Sequence, residues 1–225
     1  LVLRSDFQLD FLEEVTGSDV SVDVEVVRTP GVVRAGPYPF DPYFNIQPDT
    51  QYLHWSFVGG FYIESADRVL VAPYEDISDH MVSQALLGLV ISLVLERRQM
   101  LCLHASAVNI KGKAAIFMGD KGAGKSTTNG ALLARGFGAI SDDLVPITGA
   151  LERTETPRVE PGFSSIKLFP DSVAALALKS EEDDRQIHPQ TDKIQKPMPV
   201  RVPQESVPLG ALFVLKRTAD VEVPR

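Results

Sequence analysis

The segment Gly119-Asp120-Lys121-Gly122-Ala123-Gly124-Lys125-Ser126-Thr127 constrains this chain more than any other. It fits the pattern G-x-x-x-x-G-K-[ST], a loop that serves its purpose only between a strand and a helix. Both flanks suit it. Residues 114–118 are a short apolar run of the kind that forms a buried parallel strand, and residues 127–135 read as a helix closed by Gly136. Gly119, Gly122 and Gly124 remove side chains, so that successive backbone N–H groups can curl around phosphate oxygens. In such a loop Lys125 reaches the β- and γ-phosphates, Ser126 ligates Mg²⁺, and the start of the helix adds its dipole. The whole loop, with Asp120, Lys121, Ala123 and Thr127, is therefore expected to bind ATP with Mg²⁺. The competing reading is a glycine-rich turn before an ordinary helix.

Composition narrows the setting. A length of 225 residues suffices for one large or two small domains with a proper core. Hydrophobic residues make up 44% and charged residues 23%, the balance of a globular chain. A net charge of −8 argues against a nucleic-acid partner or a membrane surface. The one cysteine, Cys102, excludes an internal disulfide and a cysteine-based metal cluster. Lying in an apolar run, it suits a buried thiol better than a nucleophile. No basic-then-apolar leader opens the chain, and the longest apolar run, residues 85–95, is too short to span a bilayer. A cytoplasmic location is expected. The absence of an initial Met, and an end soon after an apolar strand, suggest a C-terminally incomplete domain.

Residues 1–77 are strand-like and rich in turns, and predict a smaller β-rich domain. Residues 20–27 alternate apolar and polar, and residues 58–63 and 68–72 form two further strands. Between them runs a loop punctuated by Pro30-Gly31, Gly36-Pro37 and Asp41-Pro42, carrying Tyr38, Phe40, Tyr43 and Phe44. These aromatics suit either a docking surface or a minor core. Ser78 and Asp79 open a predicted helix over residues 78–98, read as a connector to a domain over residues 99–225.

A second signal follows the loop's helix. The short strand predicted at residues 138–141 ends in Asp142-Asp143. A right-handed crossover returns that strand parallel to the one before the loop, so the two carboxylates reach the same sheet edge as the phosphates. Acidic residues after a strand also cap turns, which is the plainer reading. Carboxylates on the very next strand suit kinases of small substrates and peptides, in which one must accept a hydroxyl proton.

Residues 103–108 (Leu-His-Ala-Ser-Ala-Val), the loop, Arg135-Gly136-Phe137 and Ser141-Asp142-Asp143, in this order and spacing, resemble the catalytic domain of HPr kinase/phosphorylase. That family includes the serine kinases found beside lasso-peptide biosynthesis enzymes, and Asp120-Lys121 and Thr127-Thr128 look more like that branch. The similarity covers residues 104–169 and not the first part of the chain. It implies a phosphate-loop α/β kinase domain in which His104 partners the catalytic carboxylate. By the same resemblance Asp142 is the base for a substrate serine, Asp143 holds Mg²⁺ with Ser126, and Glu160 is a further metal ligand. Residues 159–169 depart from the family's signature, which puts HPr as substrate, phosphorolysis and the family's hexameric assembly in question. A homo-oligomer stays open. The expected acceptor is a peptide or protein serine, a lasso-peptide precursor first. An HPr-type kinase/phosphorylase, a phosphate-ester hydrolase and a non-catalytic nucleotide sensor are the alternatives.

Residues 190–201, with Lys193, Lys196 and Arg201 among prolines after the acidic run 181–184, read as a long flexible loop. Lys193 or Lys196 is suited to neutralise phosphate charge, or both simply lie in solvent. His54, His80 and His188 carry no functional signal.

Overall fold

The computed structural model describes residues 1–17, 20–30, 41–150, 156–179, 184–188, 191–198 and 205–216. Tyr38, Phe40, residues 181–183 and Arg201 fall outside these, as does the side chain of His188. The protein is mixed α/β and mostly sheet, with three sheets divided between two compact units, Leu1–Met100 and Leu101–Arg225.

The first unit holds one sheet built from β1 (Leu3–Ser5), β2 (Val24–Arg28), β3 (Tyr43–Ile46), β4 (Gln51–Trp55), β5 (Gly59–Ser65) and β6 (Arg68–Pro73), in the order β1-β2-β6-β5-β4-β3. The strand expected over residues 20–27 begins only at Val24, where alternation puts Val24 and Val26 into the core. The described loop aromatics lie in β3 and pack as a minor core. Phe44 meets Trp55 edge-on with ring centroids 5.3 Å apart, and Trp55 meets Phe61 at 5.5 Å. His54 bonds Tyr74 Oη at 2.6 Å and His80 pairs with Asp10 at 2.6 Å, both within this unit.

The predicted connecting helix is part of the same unit. It runs as α1 (Asp79–Ala85), a wider turn over Leu86–Val90 and α2 (Ile91–Arg97), with Gly88 non-helical at φ −102°, ψ −111°. The wider turn over Leu86–Val90 carries the interruption, at a glycine that admits this backbone. Arg97 Nε donates to Gln51 Oε1 on β4, and Arg98 reaches Asp23 and the carbonyl of Ala66. By length and composition alone Asp79–Arg97 could cross a bilayer, and 56% of it is buried inside the protein.

The second unit carries a sheet of β7 (Leu101–Leu103), β8 (Ser106–Ile110), β9 (Lys113–Gly119), β10 (Gly138–Ser141), β11 (Val145–Thr148), β12 (Arg158–Val159) and β16 (Val207–Leu215). Their order is β10-β8-β9-β16-β12-β11-β7. The helix α3 (Lys125–Leu133) follows β9; α4 (Pro170–Ala175) and a small sheet β13 (Ser165–Leu168), β15 (Thr191–Pro197), β14 (Arg185–His188) lie further along. Ile116, Ile140, Val145 and Ile147 fill one core cluster. Val108, Phe117, Leu133, Ile166 and Leu168 fill the other, which includes residues of α3 and β13.

One expectation is met by a different strand order, and one is corrected. β10 does not lie beside β9. The hairpin strand β8 pairs antiparallel with both, so β10 still runs in the direction of β9 and ends at the same edge. The Lys111-Gly112 turn makes this possible, because both residues take positive φ (52° and 80°), as a tight hairpin needs. β9 itself is flanked by antiparallel β8 on one side and parallel β16 on the other. The correction concerns the flexible loop: within it, residues 191–197 form a strand paired with β13 and β14. The prolines that suggested a loop hid it, since Pro197 falls at the strand's last residue, where a missing N–H disturbs little.

Candidate functional site

The loop between β9 and α3 takes the shape its glycines permit. Gly119, Gly122 and Gly124 have φ of 154°, 83° and 98°. A Cβ at Gly119 would lie 2.5 Å from the carbonyl oxygen of Leu215 on β16, so a side chain is excluded there twice over. Asp120 O accepts from Ala123 N, and Gly124 O from Thr128 N, which starts the first turn of α3. That helix begins at Lys125, two residues earlier than the sequence suggested, because the lysine already has helical backbone. Lys125 is buried, and its Nζ donates to the carbonyls of Gly119 (2.8 Å) and Asp120 (3.2 Å). The loop is thus wrapped around its own cation. Ser126 follows in the first turn, and Thr127 Oγ1 lies 2.9 Å from Ser172 Oγ on α4. Lys121 and Ala123 lie on the loop between the glycines.

The acidic pair meets the loop's edge through β8. Asp142 is only 3% exposed, and both its oxygens are engaged. Oδ1 accepts from Ser106 Oγ (2.6 Å) and Asn129 Nδ2 (3.3 Å), and Oδ2 from the backbone N–H of Lys167 (3.1 Å). Burial pushes its carboxyl above the usual range; the donors from Ser106, Lys167 and Asn129 oppose that rise, and the Asp143 charge adds to it. Asn129 also donates to Ser141 O, so α3 is tied directly to the end of β10. Ser141 Oγ in turn donates to Leu144 O, closing the turn. Behind it Gly162 leaves no room: a Cβ there would lie 1.9 Å from Ser141 Oγ.

Asp143 differs in every respect. It has φ 74°, a left-handed conformation that aspartate tolerates better than most residues, and its side chain is about a third exposed. Lys167 Nζ lies 2.8 Å from Oδ2, and His104 Nδ1 lies 3.2 Å from Oδ1. Burial alone would raise its carboxyl, but the Lys167 charge and hydrogen bond, then the charges of His104 and Lys193, hold it below the usual range. His104 Nδ1 also donates to the Asp143 backbone carbonyl at 2.9 Å, which fixes the imidazole with its proton on Nδ1.

The structure brings His104 to the acidic pair at the sheet edge where the loop also ends, with one pairing corrected. His104 meets Asp143, not Asp142: Asp142 points inward under Ser106, and only the left-handed turn at Asp143 brings a carboxylate out to the imidazole. Glu160 lies apart, with its Oε1 accepting from Thr148 Oγ1 on β11 at 2.7 Å and its N–H bonded to Pro146 O. Among the described residues, no group of three or more His, Cys, Asp or Glu side chains is arranged to hold a metal ion. Sequence reasoning missed Ser106, Asn129 and Lys167. Ser106 and Asn129 carry no spacing signal, since each acts across the fold. Lys167 was visible only as a polar residue alternating with Ile166 and Leu168. Comparison with protein-family models gives no match for this chain, and comparison with curated proteins gives none.

Proposed function

We propose that the second unit is a phosphate-loop kinase that uses Mg·ATP to phosphorylate a serine hydroxyl of a peptide or protein. The observation that carries this reading is that the lysine-filled glycine loop and the Asp142-Asp143 turn end at one edge of one sheet, a single strand apart. The loop fits a polyphosphate. Its left-handed glycines expose backbone N–H groups, and the buried Lys125 ammonium rests on two carbonyls that an anion would replace as partner. For Mg²⁺ the fit lies with Ser126, joined by phosphate oxygens and water as this ion commonly requires. Asp143 could join through the lone pairs that its single contacts to Lys167 and His104 leave open on each oxygen. Glu160 accepts from Thr148 on β11, and no contact among the described residues ties it to Ser126 or Asp143. A bound ion would supply positive charge to offset the negative charge that builds on the phosphates.

These contacts divide the two carboxylates' work differently from the family resemblance. Asp143 is the carboxylate that solvent reaches, so it orients the acceptor hydroxyl and takes its proton. Lys167 keeps Asp143 ionised, and the Nδ1–H of His104 fixes the turn that presents it. Asp142 holds β8, β10, α3 and β13 in register behind the reacting groups. The chemistry asked of the chain is positioning and charge neutralisation. A lasso-peptide-type precursor is the acceptor we favour, on the resemblance of residues 104–169. A cytoplasmic setting, no nucleic-acid partner and an open homo-oligomeric state belong to the same reading.

The test is a mass-spectrometric transfer assay with Mg·ATP, offering an HPr-type protein and a precursor peptide with a C-terminal serine. Phosphate on the peptide is expected, lost with Lys125→Ala and with Asp143→Asn while the latter still binds ATP. Phosphate on HPr alone would favour the HPr-type kinase/phosphorylase. ATP binding without transfer would favour a nucleotide sensor, and phosphate release without acceptor a hydrolase. Retained transfer in Asp143→Asn with loss in Asp142→Asn would return the base to Asp142.

A further inference from the structure

The small sheet β13-β15-β14 separates two lysines that the sequence could not tell apart. Register pairs Lys167 with Gln195, Leu168 with Ile194 and Ile166 with Lys196. Strand alternation then puts Ser165, Lys167, Lys193 and Gln195 on one face, with Ile166, Leu168, Ile194 and Lys196 on the other. The first assignment is supported by Gln195 Nε2 donating to Ser165 Oγ at 2.7 Å. Lys196, on the second face, is consumed there: its Nζ contacts both oxygens of Asp184 at 2.5 Å and the carbonyl of Lys179 at 2.8 Å.

Lys193 shares its face with Lys167, whose ammonium already touches Asp143. Its own ammonium sits 5.1 Å from the ring centroid of Phe169, and the charges that act on it are those of Asp143, Asp142, Lys167 and Lys121. It is thus a half-buried cation beside the acidic pair and within the field of a loop lysine. Burial favours its neutral form, the carboxylates favour the charged form, and the two neighbouring lysines oppose them. No hydrogen bond from its ammonium to a carboxylate is formed among the described residues, while Lys167 has one.

Resting on the kinase reading above, we infer that Lys193 is a second phosphate-binding lysine. Carried by β15 on the face it shares with Lys167, it contacts the terminal phosphate of the nucleotide. Phe169 supports its aliphatic stem and ring-facing ammonium, holding it near that position before ligand arrives.

The test measures affinity of the whole chain for ATP, ADP and inorganic tripolyphosphate, in wild type, Lys193→Met, Lys193→Arg and Lys125→Ala. Lys193→Met keeps the stem over Phe169 and removes the charge. It is expected to weaken ATP and tripolyphosphate by about tenfold or more, the loss of one charge-assisted contact, and ADP by less than about twofold. Lys193→Arg should recover most of the ATP affinity. Lys125→Ala should weaken both nucleotides. Unchanged ATP affinity in Lys193→Met, with wild type binding ATP, overturns this inference and leaves the kinase reading intact. Parallel loss of ATP and ADP overturns the assignment to the terminal phosphate. A wild-type protein that binds neither ATP nor tripolyphosphate overturns both readings.

Discussion

Adjacent aspartates with the same unfolded chemistry are driven in opposite directions by what surrounds them. Asp142 is raised because it is buried, and Asp143 is lowered because Lys167, His104 and Lys193 outweigh its burial. The signs decide how each couples to stability. Asp143, with a folded value below the ordinary 3.8, contributes stability that is present above that value and lost as pH falls through the folded one. Asp142, with a folded value above 3.8, costs stability once pH exceeds its folded value, and that cost vanishes below 3.8. Asp143→Asn is a clean probe, since asparagine tolerates the left-handed backbone at φ 74°. At neutral pH it should destabilise by about 1 kcal/mol, after discounting for solvent screening of a partly exposed pair. The gap to wild type should close as pH drops through the region below 3.8. Denaturant melts at pH 7 and at pH 3 measure it, and a gap that widens in acid would mean that Lys167 and His104 are not what lowers Asp143.

At the scale of elements, local signals were legible and partners across the sheet were not. The glycine loop, the strand before it, the helix after it and the short strand ending at Asp142 could all be read. Each is specified by a few consecutive residues: glycines where φ is positive, an apolar run, a C-terminal Gly136 at φ 86°. The insertion of β8 between β9 and β10 was not legible, because strand order depends on pairing and no residue of β8 announces its neighbour. For the same reason the sequence alone pairs His104 with Asp142, whereas the turn geometry gives it to Asp143. The β14-β15 hairpin was hidden by charge and proline, and what its two lysines do follows from alternation. Lys196, with its side chain 5% exposed against Asp184 at 15%, is the hairpin's internal tie. Breaking a buried ion pair from one side typically costs about 3–5 kcal/mol. Lys196→Met should therefore lower the melting midpoint of the protein and raise proteolysis of the hairpin, with nucleotide affinity falling only as folding does. Lys193→Met should leave the melting midpoint of the unliganded protein near that of wild type. Equal melting midpoints for Lys196→Met and wild type would sink the structural role of the Asp184 pair.

The molecule as a whole keeps its sheets within two units: one sheet belongs to Leu1–Met100 and the other two belong to Leu101–Arg225. Described ladder pairs stay inside a unit, and so do the contacts that build the proposed site, from His104 to Lys193. Binding energy supplied at the glycine loop therefore enters the second unit first. A ligand at a hundred times its Kd stabilises the state that binds it by about 2.7 kcal/mol, roughly a hundredfold slowing of exchange for amides that exchange by global opening. With saturating Mg·ATP, hydrogen exchange should slow by that order in β8, β9 and α3, and in Lys167, whose N–H is bonded to Asp142. Amides of β4, β5 and β6 should exchange at unchanged rates, because their ladder bonds and core belong to the first unit. Slowing confined to the second unit would identify it as the unit that binds nucleotide and folds with it. Comparable slowing in β4–β6 would mean that the two units open as one, and would assign the first unit a part in holding the nucleotide-bound state.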